Sequence, residues 1–226
     1  MTTPAEDGPD LRAAVIETAR AMNTAGINVN TSGNVSARCQ RGAQPGFVIT
    51  PSGLPYGDLA ADDLVFVSAA GLPQGNRLPS SEWRFHRDLY ADRHEFAAIV
   101  HTHSPCATAL ACHGRTLPAF HYMVARAGGA DIRCAPYATF GTQALSDHAV
   151  EAMRDRSACL LAHHGLIACG PGLGAALALA IEVEHLARVY LAACELGEPP
   201  RLGAAEMQRV VDRFRNYGAG ATRSDA

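Results

Sequence analysis

The sequence predicts an α/β fold in one domain, on three observations. Short apolar runs of strand character at residues 46–49, 64–68, 97–100 and 158–162 mix irregularly with stretches of helical periodicity. The chain's 226 residues are 48% hydrophobic, enough to bury one sizeable core. No internal repeat or linker divides it.

Composition excludes several classes. Nineteen Lys and Arg against 22 Asp and Glu give a net charge of -3, with no basic run, so no nucleic-acid or anionic-membrane surface is expected. No apolar run is long and charge-free enough to span a bilayer. Seven cysteines without regular spacing make neither a disulfide framework nor a Cys-x-x-Cys metal site. Reduced, mostly packed thiols suit a cytoplasmic protein.

Residues 1–10, polar and acidic with two prolines, read as a disordered leader. A helix is predicted over 11–24, with Asp10 as N-cap and Leu11, Ala14, Val15, Thr18, Ala19 and Met22 on one face. Gly26 supplies a left-handed cap. Residues 28–38 read as a polar loop around Gly33, with Asn34 and Ser36 beside it, whose N–H groups can cradle an anion. Thr50-Pro51-Ser52-Gly53 is a second such loop. Pro79-Ser80-Ser81-Glu82 opens a helix over 83–90. The serines occupy N-cap positions, which makes a third anion site, and the positive helix end favours an ionised Glu82.

The next stretch organises the chain. His101-Thr102-His103 ends the apolar run at 97–100, and residues two apart on a strand share a face, so two imidazoles are presented together. Ala162-His163-His164-Gly165 ends another apolar run and can add a third; by strand parity only one of His163 and His164 should join. With Glu82, three imidazoles and a carboxylate form the usual ligand set of a catalytic zinc.

The remaining elements are read as scaffold and loops. A small-residue helix covers 105–114, and residues 118–123, carrying His121 and Tyr122, form a loop or strand. Residues 136–141 make another loop, and a helix runs over 146–155. A long Ala-rich helix at 173–196 suggests burial or a subunit contact. Pro199-Pro200 breaks the chain before a last helix at 204–217, and 218–226 reads as a flexible tail.

The motifs PSSEWRFH, HTH, FHYMVARAGG, CAPYATFGT and LAHHGLIACG resemble the zinc-dependent class II aldolase/adducin family over residues 11–217, most like its branch that cleaves L-fuculose 1-phosphate. The resemblance implies a three-layer α/β/α domain with a central, largely antiparallel sheet, assembled as a homotetramer with active sites between neighbours. It places the zinc ligands on His101, His103, His164 and Glu82, with Glu82 also the acid-base carboxylate. It places phosphate binding on Thr31, Gly33, Asn34, Ser52, Gly53, Ser80 and Ser81, Ser52 standing where the nearest branch has threonine. Tyr122 matches a tyrosine that reaches an adjacent subunit's site and handles the aldehyde oxygen. Phe140, Phe214 and Tyr217 match residues on the aldehyde side, the last two on a mobile tail. The implied reaction cleaves a ketose 1-phosphate to dihydroxyacetone phosphate and a small aldehyde such as lactaldehyde, through a zinc-stabilised enediolate. Aldolases of 5-deoxyribulose 1-phosphate or 5-methylthioribulose 1-phosphate are the nearest alternatives, followed by related dehydratases, decarboxylases and 4-epimerases. A non-enzymatic adducin-like domain is disfavoured, because all the zinc ligands are present.

Overall fold

The computed structural model describes residues 5–216. Its elements are, in order, β1 (Ala5–Glu6), α1 (Pro9–Thr24), β2 (Asn34–Arg41), β3 (Gln44–Ile49), β4 (Val65–Ser68), β5 (Pro73–Gln74), α2 (Trp83–Asp92), β6 (Ala98–Thr102), α3 (Pro105–Cys112), β7 (Cys134–Ala135), α4 (Gln143–Ala152), β8 (Ala158–Leu161), β9 (Gly165–Gly170), α5 (Leu173–Cys194) and α6 (Ala204–Asn216). The strands form one sheet in the order β5-β4-β3-β2-β6-β9-β8-β7, with β1 added beside β2. Among the described residues only β1 with β2 and β7 with β8 run parallel; the other pairings are antiparallel.

Period-two alternation divides the core into two layers. Ala98 and Val100 of β6, with Leu166 and Ala168 of β9, pack under α1, α3, α5 and α6. Ile99, Ile167 and Cys169 face the other way, onto Phe85 and Leu89 of α2 and Leu145 and Ala149 of α4. The result is the expected largely antiparallel sheet with helices on both faces. The centre of the sheet, β2-β6-β9, is buried on both sides, which is why β6 reads as a continuous apolar run.

Several expectations need correction. Residues 5–10 of the expected leader are structured: β1 pairs with β2, and Asp7 accepts from Arg12 and Arg41 at 2.6 Å each. Helix α1 therefore starts at Pro9 with Gly8, not Asp10, at the N-cap, and Asp10 sits in the first turn. Gly26 does take a left-handed φ of 70° just past the helix end. The polar loop ends at Gly33, because Asn34 to Arg41 is the central strand β2. Val35, Ala37 and Cys39 alternate into one core layer, while Ser36 points into the other and satisfies its hydroxyl there. Residues 165–170 form a strand of their own, β9, so His163 and His164 occupy a hairpin turn rather than a strand end.

Candidate metal centre

Three segments deliver the ligands. His101 is the fourth residue of β6 and fully buried; His103 lies just past the strand end. The β8–β9 turn supplies His164, and Glu82 is the N-cap residue of α2. Turn geometry, not strand parity, separates the paired histidines: His163 has a left-handed φ of 56° and turns its ring against Tyr137, 5.9 Å between centroids. One ligand atom from each of Glu82, His101, His103 and His164 lies within 4.8 Å of the other three.

The hydrogen-bond pattern of this cluster is that of a cation site. His101 Nδ1 lies 2.8 Å from the carbonyl oxygen of Leu166, which only accepts, so Nδ1 carries the proton and Nε2 is left as a lone pair. That Nε2 faces Glu82 Oε2 at 3.1 Å and His103 Nε2 at 3.1 Å. Glu82 Oε1 is 3.1 Å from His164 Nε2, yet is buried with no hydrogen-bond donor directed at it. Converging acceptors with too few donors are reconciled by a divalent cation, and a His3Glu set suits zinc. Burial alone would raise the Glu82 pKa, but positive charge at His101 and His164 against its two oxygens lowers it below the usual carboxylate range, the charge a bound cation would supply once the imidazoles are neutral. Burial, then His101 and His164, lower His103 to about 4, which keeps it in the neutral, ligating form near neutrality.

The three expected anion loops converge beside Glu82. Asn34 pairs with His101 across β2 and β6. The Val35 N–H donates to Thr50 Oγ1 at 3.3 Å, and the Ser80 N–H to the Thr50 carbonyl at 3.0 Å. A Pro51–Pro79 bridge closes the set. Ser52, Gly53 and Ser81 are exposed there, and Thr31 is half-buried. Two members are otherwise engaged. Ser80 Oγ accepts from the Glu82 N–H at 3.3 Å, and the Asn34 amide donates to Glu82 Oε2 at 3.0 Å. In the structure the Asn34 side chain thus serves Glu82, not an open cradle. Gly33 admits no side chain: a Cβ would stand 2.5 Å from the His101 carbonyl oxygen.

The aldehyde-side residues fall in two places. Phe140 is exposed in the loop whose Gly141 packs against Ser81 and accepts from Arg84 at 2.7 Å, beside the cluster. Phe214 lies in α6 and stacks on Tyr122, 6.4 Å between centroids and 4° between planes. Both line a groove of about 640 Å3 with Arg126 and Arg213. Phe214 also borders a second groove with Phe96 and Gly170, at the end of β6 and β9 opposite His101. The structure therefore does not bring Tyr122 or Phe214 to the histidines of their own chain. Tyr217 lies outside the described residues.

The family described as Class II Aldolase and Adducin N-terminal domain matches residues 13–191. This chain belongs to it. A 5-methylthioribulose-1-phosphate/5-deoxyribulose-1-phosphate aldolase of Rhodospirillum rubrum is 54% identical over 211 residues, covering 93% of this chain and 94% of that protein. An L-fuculose phosphate aldolase of Escherichia coli K12 is 46% identical over 205 residues, 90% of this chain and 94% of that one. Among solved structures, an L-fuculose 1-phosphate aldolase superposes with a TM-score of 0.88 at 38% identity, covering 92% of this chain and 97% of that chain. The protein is a class II aldolase, a metal-dependent lyase, and the Glu82–His101–His103–His164 group is a set able to hold a metal ion.

Sequence reading of this class II aldolase missed the groups that support Glu82. His86, Ser36 and Tyr90 form a buried hydrogen-bonded line ending at Asn34. A signal existed: His86 is four residues after Glu82 and so lies one helical turn behind it. The buried Glu184 of α5 was also missed; it accepts from the Cys106 and Ala107 N–H groups at 3.0 and 2.9 Å, capping the helix that follows His103. Its signal was a carboxylate on an otherwise apolar helix face.

Proposed function

We propose that the protein is a zinc-dependent aldolase that reversibly cleaves a ketose 1-phosphate to dihydroxyacetone phosphate and a small aldehyde. The observation that carries this reading is the position of the four-residue Glu/His cluster beside three loops rich in backbone N–H and hydroxyl groups. The loop residues Thr31, Gly33, Ser52, Gly53, Ser80 and Ser81 hold the phosphate, with the N-terminal end of the α2 dipole adding positive potential. A bound divalent ion would act as Lewis acid on the ketone, lowering the pKa of the adjacent C–H. Glu82 takes the proton from the hydroxymethyl carbon in the condensation direction and returns it in cleavage. Tyr122 of a second copy protonates the aldehyde's developing alkoxide, and Phe140 shields the aldehyde's apolar end.

The substrate beyond the aldehyde carbon is 5-methylthioribulose 1-phosphate or 5-deoxyribulose 1-phosphate on the strength of the 54% identity; L-fuculose 1-phosphate, the sequence expectation, is the second reading at 46%. All release dihydroxyacetone phosphate and differ only in the aldehyde. The seven free cysteines support a reducing, cytoplasmic setting, and no described helix is long and apolar enough to cross a membrane.

Proton exchange at the hydroxymethyl carbon of dihydroxyacetone phosphate in D2O, followed by NMR with and without chelator, tests the reading. Metal-dependent exchange is the expected result, followed by turnover of one of the three ketose phosphates. Absence of exchange with zinc bound would shift the assignment to the dehydratase, decarboxylase or 4-epimerase relatives.

A further inference from the structure

Behind Glu82 runs a line of buried polar groups that touches neither the ligand atoms of the histidines nor the open loops. Asn34 Nδ2 donates to Glu82 Oε2 at 3.0 Å, and Asn34 Oδ1 lies 2.5 Å from His86 Nε2. His86 Nδ1 lies 2.7 Å from Ser36 Oγ, which lies 2.8 Å from the Tyr90 hydroxyl. All five residues are buried.

The carboxylate sets the direction of every bond. An ionised Glu82 only accepts, so the Asn34 amide must present its NH2 there and its carbonyl to His86. His86 Nε2 must then carry the proton, and Nδ1 must accept from the Ser36 hydroxyl. The Ser36 oxygen in turn accepts from Tyr90. Every donor points toward Glu82. The plane of the His86 ring is held by stacking on Phe85 at 4.7 Å and 22° and on Phe47 at 6.3 Å and 19°. Burial lowers its pKa to about 3, so it remains a neutral, single-donor imidazole.

We infer that His86 is a positioning residue: through Asn34 it fixes the rotation of the Glu82 carboxylate, tying Oε2 to the protein and leaving Oε1 for the metal. Without a donor at Nε2, the Asn34 amide loses the contact that prevents its flipping. A flipped amide would set its oxygen against Glu82 Oε2 and push the carboxylate out of the metal set. The inference rests on Glu82 as a metal ligand, as in the proposed function, and not on any sugar phosphate.

Two measurements on the full-length protein test it. In the wild type, 15N shifts of His86 should report the Nε2–H tautomer, unchanged between pH 5 and 9; an Nδ1–H tautomer overturns the inference. Zinc affinity, by competition with a chromophoric chelator, should fall ~10- to 100-fold in His86→Leu. In His86→Gln, whose amide can still donate to Asn34 Oδ1, most of that loss should return. Wild-type affinity in His86→Leu, or a Gln variant no tighter than Leu, would reduce His86 to packing. Should His86→Leu not fold, Ser36→Ala serves in its place: it takes the donor from Nδ1 and should weaken zinc measurably, and unchanged affinity counts against the inference. A protein that passes both measurements yet exchanges no proton from dihydroxyacetone phosphate would sink the aldolase reading alone.

Discussion

His101 donates its Nδ1–H to the backbone carbonyl of Leu166 at 2.8 Å, across the β6–β9 pairing that builds the middle of the sheet. The fold thus dictates the tautomer, and the cluster is committed to acceptors that need a cation. Stripping the metal should therefore destabilise the protein as well as inactivate it. With free zinc at ~100 times its dissociation constant, linkage gives about 2.7 kcal/mol. For a chain of this length that is a Tm decrease of roughly 5 to 10 °C on chelation. Calorimetry with and without chelator, then with zinc restored, measures it; a chelator-insensitive Tm would mean the four side chains hold no metal.

In the proposed mechanism Glu82 is ligand and base at once, and an amide in its place has neither the charge nor the proton affinity of the carboxylate. Glu82→Gln keeps the shape and the bond from Asn34 but cannot accept a proton from carbon. Exchange from dihydroxyacetone phosphate should drop ~10²-fold or more while the fold persists. Near-normal exchange in this variant would remove Glu82 from the role of base.

Gly165 is where the sheet and the site meet most closely. A Cβ there would stand 2.3 Å from the Thr102 carbonyl oxygen and 3.0 Å from His103 Cδ2. Gly165→Ala must push β9 away from the end of β6, taking His164 and His103 apart. Overpacking of this kind costs about 1–3 kcal/mol, and the zinc affinity should fall with it. Equal metal affinity in the variant would show that the strands separate without disturbing the ligands.

The first described residues are held by charge. Burial would raise the Asp7 pKa, but hydrogen bonds from Arg12 and Arg41 hold it below the ordinary carboxylate value. A group depressed in the folded state stabilises fully above its unfolded pKa, and that contribution disappears as pH falls through the folded value. Asp7→Asn should accordingly lower Tm at neutral pH, with the gap to wild type closing only in acid below about pH 4. A gap that stays constant down to pH 2.5 would assign the effect to lost hydrogen bonds alone.

The ligand set was legible because His101, His103 and the His163–His164 pair each end an apolar run, a one-dimensional mark of a strand reaching a site. The fold class was legible for the same reason. Asn34 was not: surrounded by small polar residues it reads as loop, and only three-dimensional pairing shows β2 buried with Ser36 turned into the second core layer. His86 and Glu184 escaped because a polar residue on a helix declares nothing about its partners, which here come from strands and helices 50 and 78 residues away. The structure of residues 5–10 was hidden by composition: two prolines and three acids in the first ten residues suggest disorder, but Asp7 has two arginines waiting on other elements.

Tyr122 poses the remaining geometric question, because its stacking partner Phe214 shares a groove with Phe96 and Gly170. Five residues of extended chain, ~16 Å at 3.3 Å each, separate Phe96 from His101, so Tyr122 sits at the far end of its own sheet from the metal set. If it acts, it acts on another copy's site, across an interface between identical chains. This can be read by complementation. Co-expressed Glu82→Gln and Tyr122→Phe chains each lack one half of the site, but wherever a Tyr122→Phe chain offers its intact Glu82 to the Tyr122 of a Glu82→Gln neighbour, a complete site forms. In a closed ring of randomly mixed chains with one neighbour per site, about one quarter of sites are restored. Cleavage activity in the mixture should therefore exceed the mean of the two separate variants. The Tyr122→Phe protein alone should still exchange protons from dihydroxyacetone phosphate, since Glu82 and the metal set are intact, while failing to join or release the aldehyde. A mixture that merely averages its components would place the proton donor for the aldehyde elsewhere, on a residue of the same chain as Glu82.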